Sequence, residues 1–497
     1  MAPPVLDHLL RSPHCLFPFR NVFISVPDSA DMPRPLAPSS PAKAPDRLTY
    51  IDLFAGCGGL SLGLHESGWE GLFAVERSPM AFETFKHNLI DRQPTHFLNW
   101  PHWFPKNPCS IQQLTRKHAR ELRELRGKVM LIAGGPPCQG FSPAGRRRKD
   151  DHRNQLYRSY LQVVELVRPA LVLLENVTGI TREFGKREKL GRPQIPYSER
   201  IKLGLSKLGY QVSFDPAVLA SAFGVPQNRT RFVAVGIDTR QFTRCPTITP
   251  FHILAHIRKD TLRAKGLEVE APVAASDALS DLLYDESRTV PCPETPKHKS
   301  GRYRPATTAY QRLMRGTLPA DAVADSHRFV RHTAKTIERF SLILRECPRG
   351  KGISDKFRAA HEIKKAAITP MDAFRPSPTL TSMPDDLIHY QQPRVLTVRE
   401  SARLQSFPDW FEFRSKYTTG GHRRKVECPR YTQVANAVPP LLAEALGQSL
   451  AWWIELIQSG TYINALVALT SPAPGHLENV SLDKTLGFVE EPQEVIA

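Results

Sequence analysis

Cys138 is the first residue whose setting suggests chemistry. It follows Gly134-Gly135-Pro136-Pro137 and precedes Gln139-Gly140-Phe141-Ser142. Two glycines and two prolines after an apolar run make a rigid turn that places the thiol at a strand's carboxyl end, the edge where open α/β sheets bind ligands. A single cysteine is more often a small buried hydrophobe. Here Gly145-Arg146-Arg147-Arg148-Lys149 follows within ten residues, and such cations lower a thiol pKa or hold a phosphate. Glu175, after the apolar run Leu171-Val172-Leu173-Leu174, is a candidate acid in the same crevice, where burial raises a carboxyl pKa. The plainer reading is a carboxylate solvated at a loop start. Gln227-Asn228-Arg229-Thr230-Arg231 precedes another apolar run. Strand alternation predicts Arg229 and Arg231 on one side, where guanidinium forks grip phosphate or a base carbonyl. A surface arginine pair is the alternative.

A second constellation lies upstream. Asp52-Leu53-Phe54-Ala55-Gly56-Cys57-Gly58-Gly59 ends an apolar run in a glycine-rich turn, which lets backbone approach a ligand and leads into a helix N-terminus. Glu76 ends the next apolar run, where an open α/β sheet sets an acid on a ribose hydroxyl pair. The spacing is neither G-x-G-x-x-G nor G-x4-G-K-[ST], so a nucleoside without a pyrophosphate fits better. A structural turn is the commoner use of such glycines.

These residues need a frame. Leu48–Phe54, Gly71–Glu76, Lys128–Ala133, Ala170–Leu174 and Arg231–Ile237 read as strands. Pro79–Leu89 and Gln155–Val167 read as helices, the latter with Leu156, Tyr160, Val163, Val164 and Val167 on one face. Strands alternating with helices predict an α/β fold, a doubly wound and mostly parallel sheet covered on both faces, with a second, smaller basic domain. The expected layout is a proline-rich disordered leader (1–46), a catalytic and cofactor-binding α/β domain (47–237), a basic loop-rich domain (238–393), a return of the first domain (394–460), and a tail (461–497).

The chain has 497 residues and a formal net charge of +18. That excess points to a polyanionic partner, nucleic acid foremost. No apolar run is long enough to suggest a membrane span, and the N-terminus lacks the layout of a secretory signal. The eight cysteines contain no C-x2-C or C-x4-C pair, so neither a disulfide scaffold nor a metal site is expected.

Taken in order, Asp52–Gly59, Pro136–Ser142, Glu175-Asn176-Val177 and Gln227–Arg231 resemble the motifs of the DNA (cytosine-5)-methyltransferase family, bacterial restriction-modification type. Arg394–Pro408 is similar to the family's penultimate motif, and Gln433-Val434-Ala435-Asn436-Ala437-Val438-Pro439-Pro440 to its last. The resemblance covers roughly 48–455, excluding most of 238–393. It implies an S-adenosylmethionine-dependent, Rossmann-like methyltransferase in which Cys138 adds to cytosine C6 and Glu175 holds N3. Arg231 would bind the base O2, and Arg229 would support the intermediate or a backbone phosphate. It implies cofactor contacts from Phe54, Gly56, Cys57, Gly59, Glu76, Pro137, Asn436 and Val438. Ser110-Ile111 stands where the family usually has Asp-Ile at the adenine edge. Ala435 replaces the usual Gly.

The resemblance also implies double-stranded DNA as partner, with Gln139, Ser142, Arg146, Arg147 and Gln227 touching it and 238–393 acting as target-recognition domain. Base flipping follows from the class of enzyme. A cognate restriction endonuclease acting on the same site without stable contact, a monomeric state and a place in the bacterial cytoplasm with the DNA complete the expectation. The rivals are a transfer-RNA cytosine-5 methyltransferase, a catalytically inert DNA-binding relative and an unrelated thiol enzyme. The first should carry a Cys-Phe-Thr element and a short target region, neither present; the second should lack Cys138 or Glu175; the third should pair a His with Cys138.

Overall fold

The computed structural model describes residues 47–137, 156–182, 195–242, 248–420, 423 and 426–460. Its main sheet has the order β2-β1-β3-β4-β6-β5, with β1 at Thr49–Leu53, β2 at Glu70–Val75, β3 at Leu131–Gly134, β4 at Leu171–Val177, β5 at Tyr210–Leu219 and β6 at Thr230–Asp238. The first four are parallel, and β6 runs antiparallel to both β4 and β5. The sequence reading omits β5. That strand carries Pro216, shifts register between Asp215 and Val218, and leaves half its residues in solvent, so no clean apolar run announces it.

Register explains where the site lies. Val75, Leu53, Gly134 and Leu174 stand side by side across β2, β1, β3 and β4. The residues that follow them, Glu76, Phe54, Gly135 and Glu175, therefore share one edge. Because β6 is antiparallel, it starts at that same edge, with Arg231 opposite Val177.

Helices α1 (Gly59–Glu66), α2 (Pro79–Phe85), α3 (Ile111–Lys117), α4 (Ala119–Glu124), α5 (Leu156–Val167) and α6 (Tyr197–Lys207) lie between the strands. Helix α5 buries Leu156, Tyr160, Val163, Val164 and Val167, the face that the spacing predicts. Its Tyr160 hydroxyl lies 3.0 Å from the Ile132 carbonyl and 3.1 Å from that of Leu173, which ties the helix across β3 and β4.

After β6 the chain does not leave this layer at once. Helix α7 (Pro250–Ala264) packs on the long α14 (Pro440–Ser459); Trp453 Nε1 donates to the Ile248 carbonyl at 2.8 Å and Lys265 pairs with Glu444 at 2.7 Å. Then come α8 (Ala275–Leu279), an antiparallel sheet of β7 (Thr289–Pro291), β8 (Lys299–Arg302) and β9 (Val323–Arg328), and α9 (Ala309–Arg315) between β8 and β9. Helices α10 (Ala334–Glu346), α11 (Asp355–Ala360), α12 (Val398–Leu404) and α13 (Arg430–Asn436) complete the described chain. Leu282, Tyr303, Tyr310, Met314 and Ala324 belong to the same contiguous core as the main sheet. Among the described residues, a smaller cluster around Phe340, Ile343, Ile363 and Ile368 stands apart. The stretch expected to be loop-rich thus carries helices and a sheet, and its basic side chains mask α10's apolar stripe. Among the described residues no helix is long and apolar enough to cross a membrane.

Candidate active site

The glycine turn is held by the acid of the neighbouring strand. Glu76 Oε2 accepts the Gly56 N–H at 3.0 Å, and Oε1 accepts the Ser78 N–H at 2.6 Å. Burial pushes this carboxyl above the usual carboxylate range, while the Ser78 and Gly56 N–H groups pull it back. Phe54 has φ 66°, a left-handed conformation rare outside glycine and found at functional turns. A Cβ on Gly56 would meet no atom within 4 Å, so the turn faces open space. Asp52 is fully buried; Oδ2 accepts the Ser61 hydroxyl at 2.6 Å and Oδ1 has no hydrogen-bond partner. Desolvation raises its pKa to about 7, with the Ser61 hydroxyl opposing.

The C-terminal return closes this side. A Cβ on Gly59 would lie 2.2 Å from the Val438 carbonyl, so only glycine lets α1 and that segment meet. Val438 is buried and Asn436 exposed. The buried Cys57 thiol, pushed up by burial, donates to the Gln433 carbonyl at 3.6 Å. The Cys109 N–H donates to the Glu76 carbonyl at 2.8 Å, which brings Ser110-Ile111 close to Glu76. Ser110 Oγ accepts the Gln113 N–H as the cap of α3, and Ile111 is buried.

At the ends of β4 and β6, Arg231 Nε meets Glu175 Oε1 at 2.6 Å, with side chains only 6% and 10% exposed. A Cβ on Gly135 would sit 3.2 Å from Glu175 Oε2, so this carboxylate lies against the turn that leads to Cys138. Asn176 Nδ2 donates to the Pro136 carbonyl at 2.9 Å and pins that turn. Pro137 is partly exposed beyond it. Cys138, Gln139, Ser142, Arg146 and Arg147 lie outside the described residues.

Two expectations change. Arg229 and Arg231 do not work on one side: the Arg229 N–H donates to the Gln227 carbonyl at 2.9 Å, a local turn that ends the alternation. Arg229 Nη2 instead donates to the Ala435 carbonyl at 2.7 Å. Gln227 is fully buried, bonded to the Leu404 carbonyl and the Gln405 side chain, and presents no surface to DNA.

The family profile for C-5 cytosine-specific DNA methylase matches residues 48–452. The chain belongs to this family. It is 31% identical to type II methyltransferase M.XorII of Xanthomonas oryzae pv. oryzae, over 80% of this chain and 83% of that one. To type II methyltransferase M1.HphI of Haemophilus parahaemolyticus it is 30% identical, over 81% and 86%. To M.DdeI of Desulfomicrobium norvegicum the figures are 28%, 87% and 96%. A solved E. coli prophage protein described as a DNA modification methyltransferase shares the fold, with TM-score 0.54 and 24% identity over 82% of this chain and 99% of that one. The protein is a C-5 cytosine-specific DNA methyltransferase, and the family implies use of S-adenosylmethionine.

For such a methyltransferase the sequence reading misses three amides that hold the site together. Asn176 pins the turn before Cys138. Gln433 accepts the Thr84 hydroxyl at 2.7 Å and donates to the Met80 and Cys428 carbonyls, which fastens the last motif to α2. Gln405 joins the last two motifs. All three sit inside the motifs quoted above, and a buried amide in a catalytic motif is the signal that would have found them.

Proposed function

We propose that this methyltransferase modifies C5 of cytosine within a specific double-stranded DNA sequence, through a covalent bond between Cys138 Sγ and C6. The observation that carries the reading is the buried Glu175–Arg231 pair, on the same sheet edge as the glycine turn and Glu76. The residues of that edge fit S-adenosylmethionine. Each Glu76 oxygen already accepts one N–H and retains a lone pair for a ribose hydroxyl. Open space beside Gly56 and the partly exposed Phe54 suit the methionine portion and the adenine. Ser110, Ile111, Pro137, Asn436 and Val438 would line the remainder, Gly59 and Cys57 contributing backbone. S-adenosylmethionine, when bound, supplies the methyl group.

The chain's own residues prepare the base. C5 of cytosine is too weak a nucleophile unaided, and covalent addition splits the difficult step in two. The Cys138 thiolate forms a bond to C6, and the C5–C6 π electrons become available at C5. Glu175 hydrogen-bonds N3 and stabilises its protonated form, while Arg231 orients Glu175 and reaches O2. After methylation the C5 proton leaves to solvent and the Sγ–C6 bond breaks, which restores the C5–C6 double bond. Arg229 supports this arrangement from beneath by holding the 435–437 carbonyls. Gln139, Ser142, Arg146 and Arg147 would contact DNA around the flipped base.

Within 238–393, the part beyond α7 serves as the target-recognition region, its cations on phosphates and other side chains on base edges. The role is protection of host DNA beside a nuclease of the same specificity. Incubation of unmethylated duplex DNA with labelled S-adenosylmethionine tests the core claim: label enters DNA with the wild type and not with Cys138→Ser. Label on transfer RNA instead of DNA refutes it. A 5-fluorocytosine duplex with the right site traps a covalent adduct that requires Cys138.

A further inference from the structure

Gln405 is fully buried at the carboxyl end of α12, outside both halves of the site. Its Nε2 donates to two backbone carbonyls, Val434 and Ala437, each at 2.9 Å. Its Oε1 accepts Gln227 Nε2 at 2.6 Å. Gln227 in turn donates to the Leu404 carbonyl at 3.1 Å, and its Oε1 accepts the Leu380 N–H at 3.0 Å. Carbonyls only accept and an N–H only donates, so backbone partners dictate the orientation of both amides.

The two carbonyls held by Gln405 bracket Ala435 and Asn436. Beyond them, Val438 places its own carbonyl on the first turn of α1 at Gly59. Two residues after Gln227, Arg229 takes the Ala435 carbonyl, and two residues later Arg231 takes Glu175. A single buried amide therefore joins the strap that closes the cofactor side to the strand start that sets the base side. Both amide hydrogens go to the carboxyl end of α13, Val434 inside that helix and Ala437 its cap, rather than to Gln405's own helix.

We infer that Gln405 is a positioning residue for S-adenosylmethionine: it aims the 436–438 strap at the pocket without touching the ligand. The inference rests on the cofactor reading above. Gln405→Glu keeps the volume and the acceptor for Gln227 but sets an oxygen against two carbonyls. Gln405→Met keeps the volume without either amide group. Equilibrium binding of S-adenosylmethionine and of a duplex oligonucleotide, each alone, separates the roles.

The expected result is weakening of S-adenosylmethionine binding by about tenfold, as for loss of buried hydrogen bonds, with DNA affinity within about twofold. Amide exchange at 436–438 should quicken in the same variants, and KM for S-adenosylmethionine should rise more than kcat falls. Folded variants that bind S-adenosylmethionine as tightly as the wild type overturn the inference. So does loss of the native far-UV signal in both variants, which would make Gln405 a folding residue only. A wild type that binds no S-adenosylmethionine refutes the cofactor reading instead.

Discussion

Gly59 and Gly63 lie one turn apart on α1 and face the same C-terminal return, and Gly59 adjoins the glycine turn proposed to hold the cofactor. An added Cβ would sit 2.2 Å from the Val438 carbonyl at Gly59, and at Gly63 2.4 Å from the Pro440 carbonyl and 2.6 Å from the Glu444 nitrogen. Ordinary contact needs roughly 1 Å more, and backbone cannot swing aside as a side-chain tip can, so each alanine falls near the upper end of the ~1–3 kcal/mol for overpacking. The helix gains about 1 kcal/mol from replacing glycine. The net loss is about 2 kcal/mol for either variant, which lowers Tm by roughly 2 °C in a chain of this size. Binding should separate them. Gly59→Ala pushes the 436–438 strap off the glycine turn and should weaken S-adenosylmethionine by about tenfold, while Gly63→Ala should change it by less than about twofold. Gly68→Ala, with φ +88° and nothing within 4 Å, supplies a control that carries backbone strain alone, about 1 kcal/mol. Thermal unfolding and equilibrium dialysis on the three proteins decide the matter. A Gly59→Ala protein with unchanged Tm and unchanged binding refutes the close approach itself.

Glu175→Gln should lower kcat by about 10²–10⁴-fold, the range for a positioned acid or base, with S-adenosylmethionine affinity unchanged in dialysis. Arg231→Leu leaves Glu175 buried without its cation and should lower stability by about 3–5 kcal/mol; urea unfolding should show most of that recovered in the Glu175→Gln, Arg231→Leu double variant. Asp52 has a folded-state pKa raised from 3.8 to about 7. Its contribution to stability is therefore fully present below about pH 4 and lost as pH rises towards 7, so the Tm of Asp52→Asn relative to wild type should climb across that window and level off above it. The logarithm of DNA affinity should fall linearly with log salt, each phosphate contact adding about 0.9 to the slope; a flat response in filter binding would remove phosphate-led docking.

Much of the site was readable because its motifs lie where strands end, and strand ends are marked by apolar runs meeting Gly or Pro. Asp52–Gly59, Glu76 and Glu175 fall on one edge for that reason. The antiparallel entry of β6 was not readable, since local patterning reports that a segment is a strand and not which way it runs. Arg229 and Arg231 look equivalent at i and i+2, but a turn at 227–229 parts them. The amides of Asn176, Gln405 and Gln433 act through partners distant in sequence, which spacing cannot disclose. The shared core beneath 282–324 shows in no single run, because Leu282, Tyr303, Tyr310, Met314 and Ala324 are spread without a continuous strand or helix period.

The net charge of +18 takes a different meaning once burial is known. Arg394 meets Glu400 at 2.6 Å, Arg399 meets Asp325 at 3.0 Å, and Arg403 meets Asp409 at 2.5 Å and Asp281 at 3.0 Å; Arg315 also pairs with Asp281. Arg399 and Arg403 are wholly buried. Four arginines cancel four acids, so the pairs remove nothing from the net balance, yet the arginines of the penultimate motif cannot release counterions from DNA. They act as internal ties: α12 grips α8, α9 and β9, and removing one partner would strand a buried charge. The polyanion-seeking charge must then lie on exposed residues such as Lys297, Arg331, Lys335 and Arg339. One motif rich in arginine thus ties α8, α9 and β9 to α12, while the exposed cations of this stretch lie in segments with no motif at all.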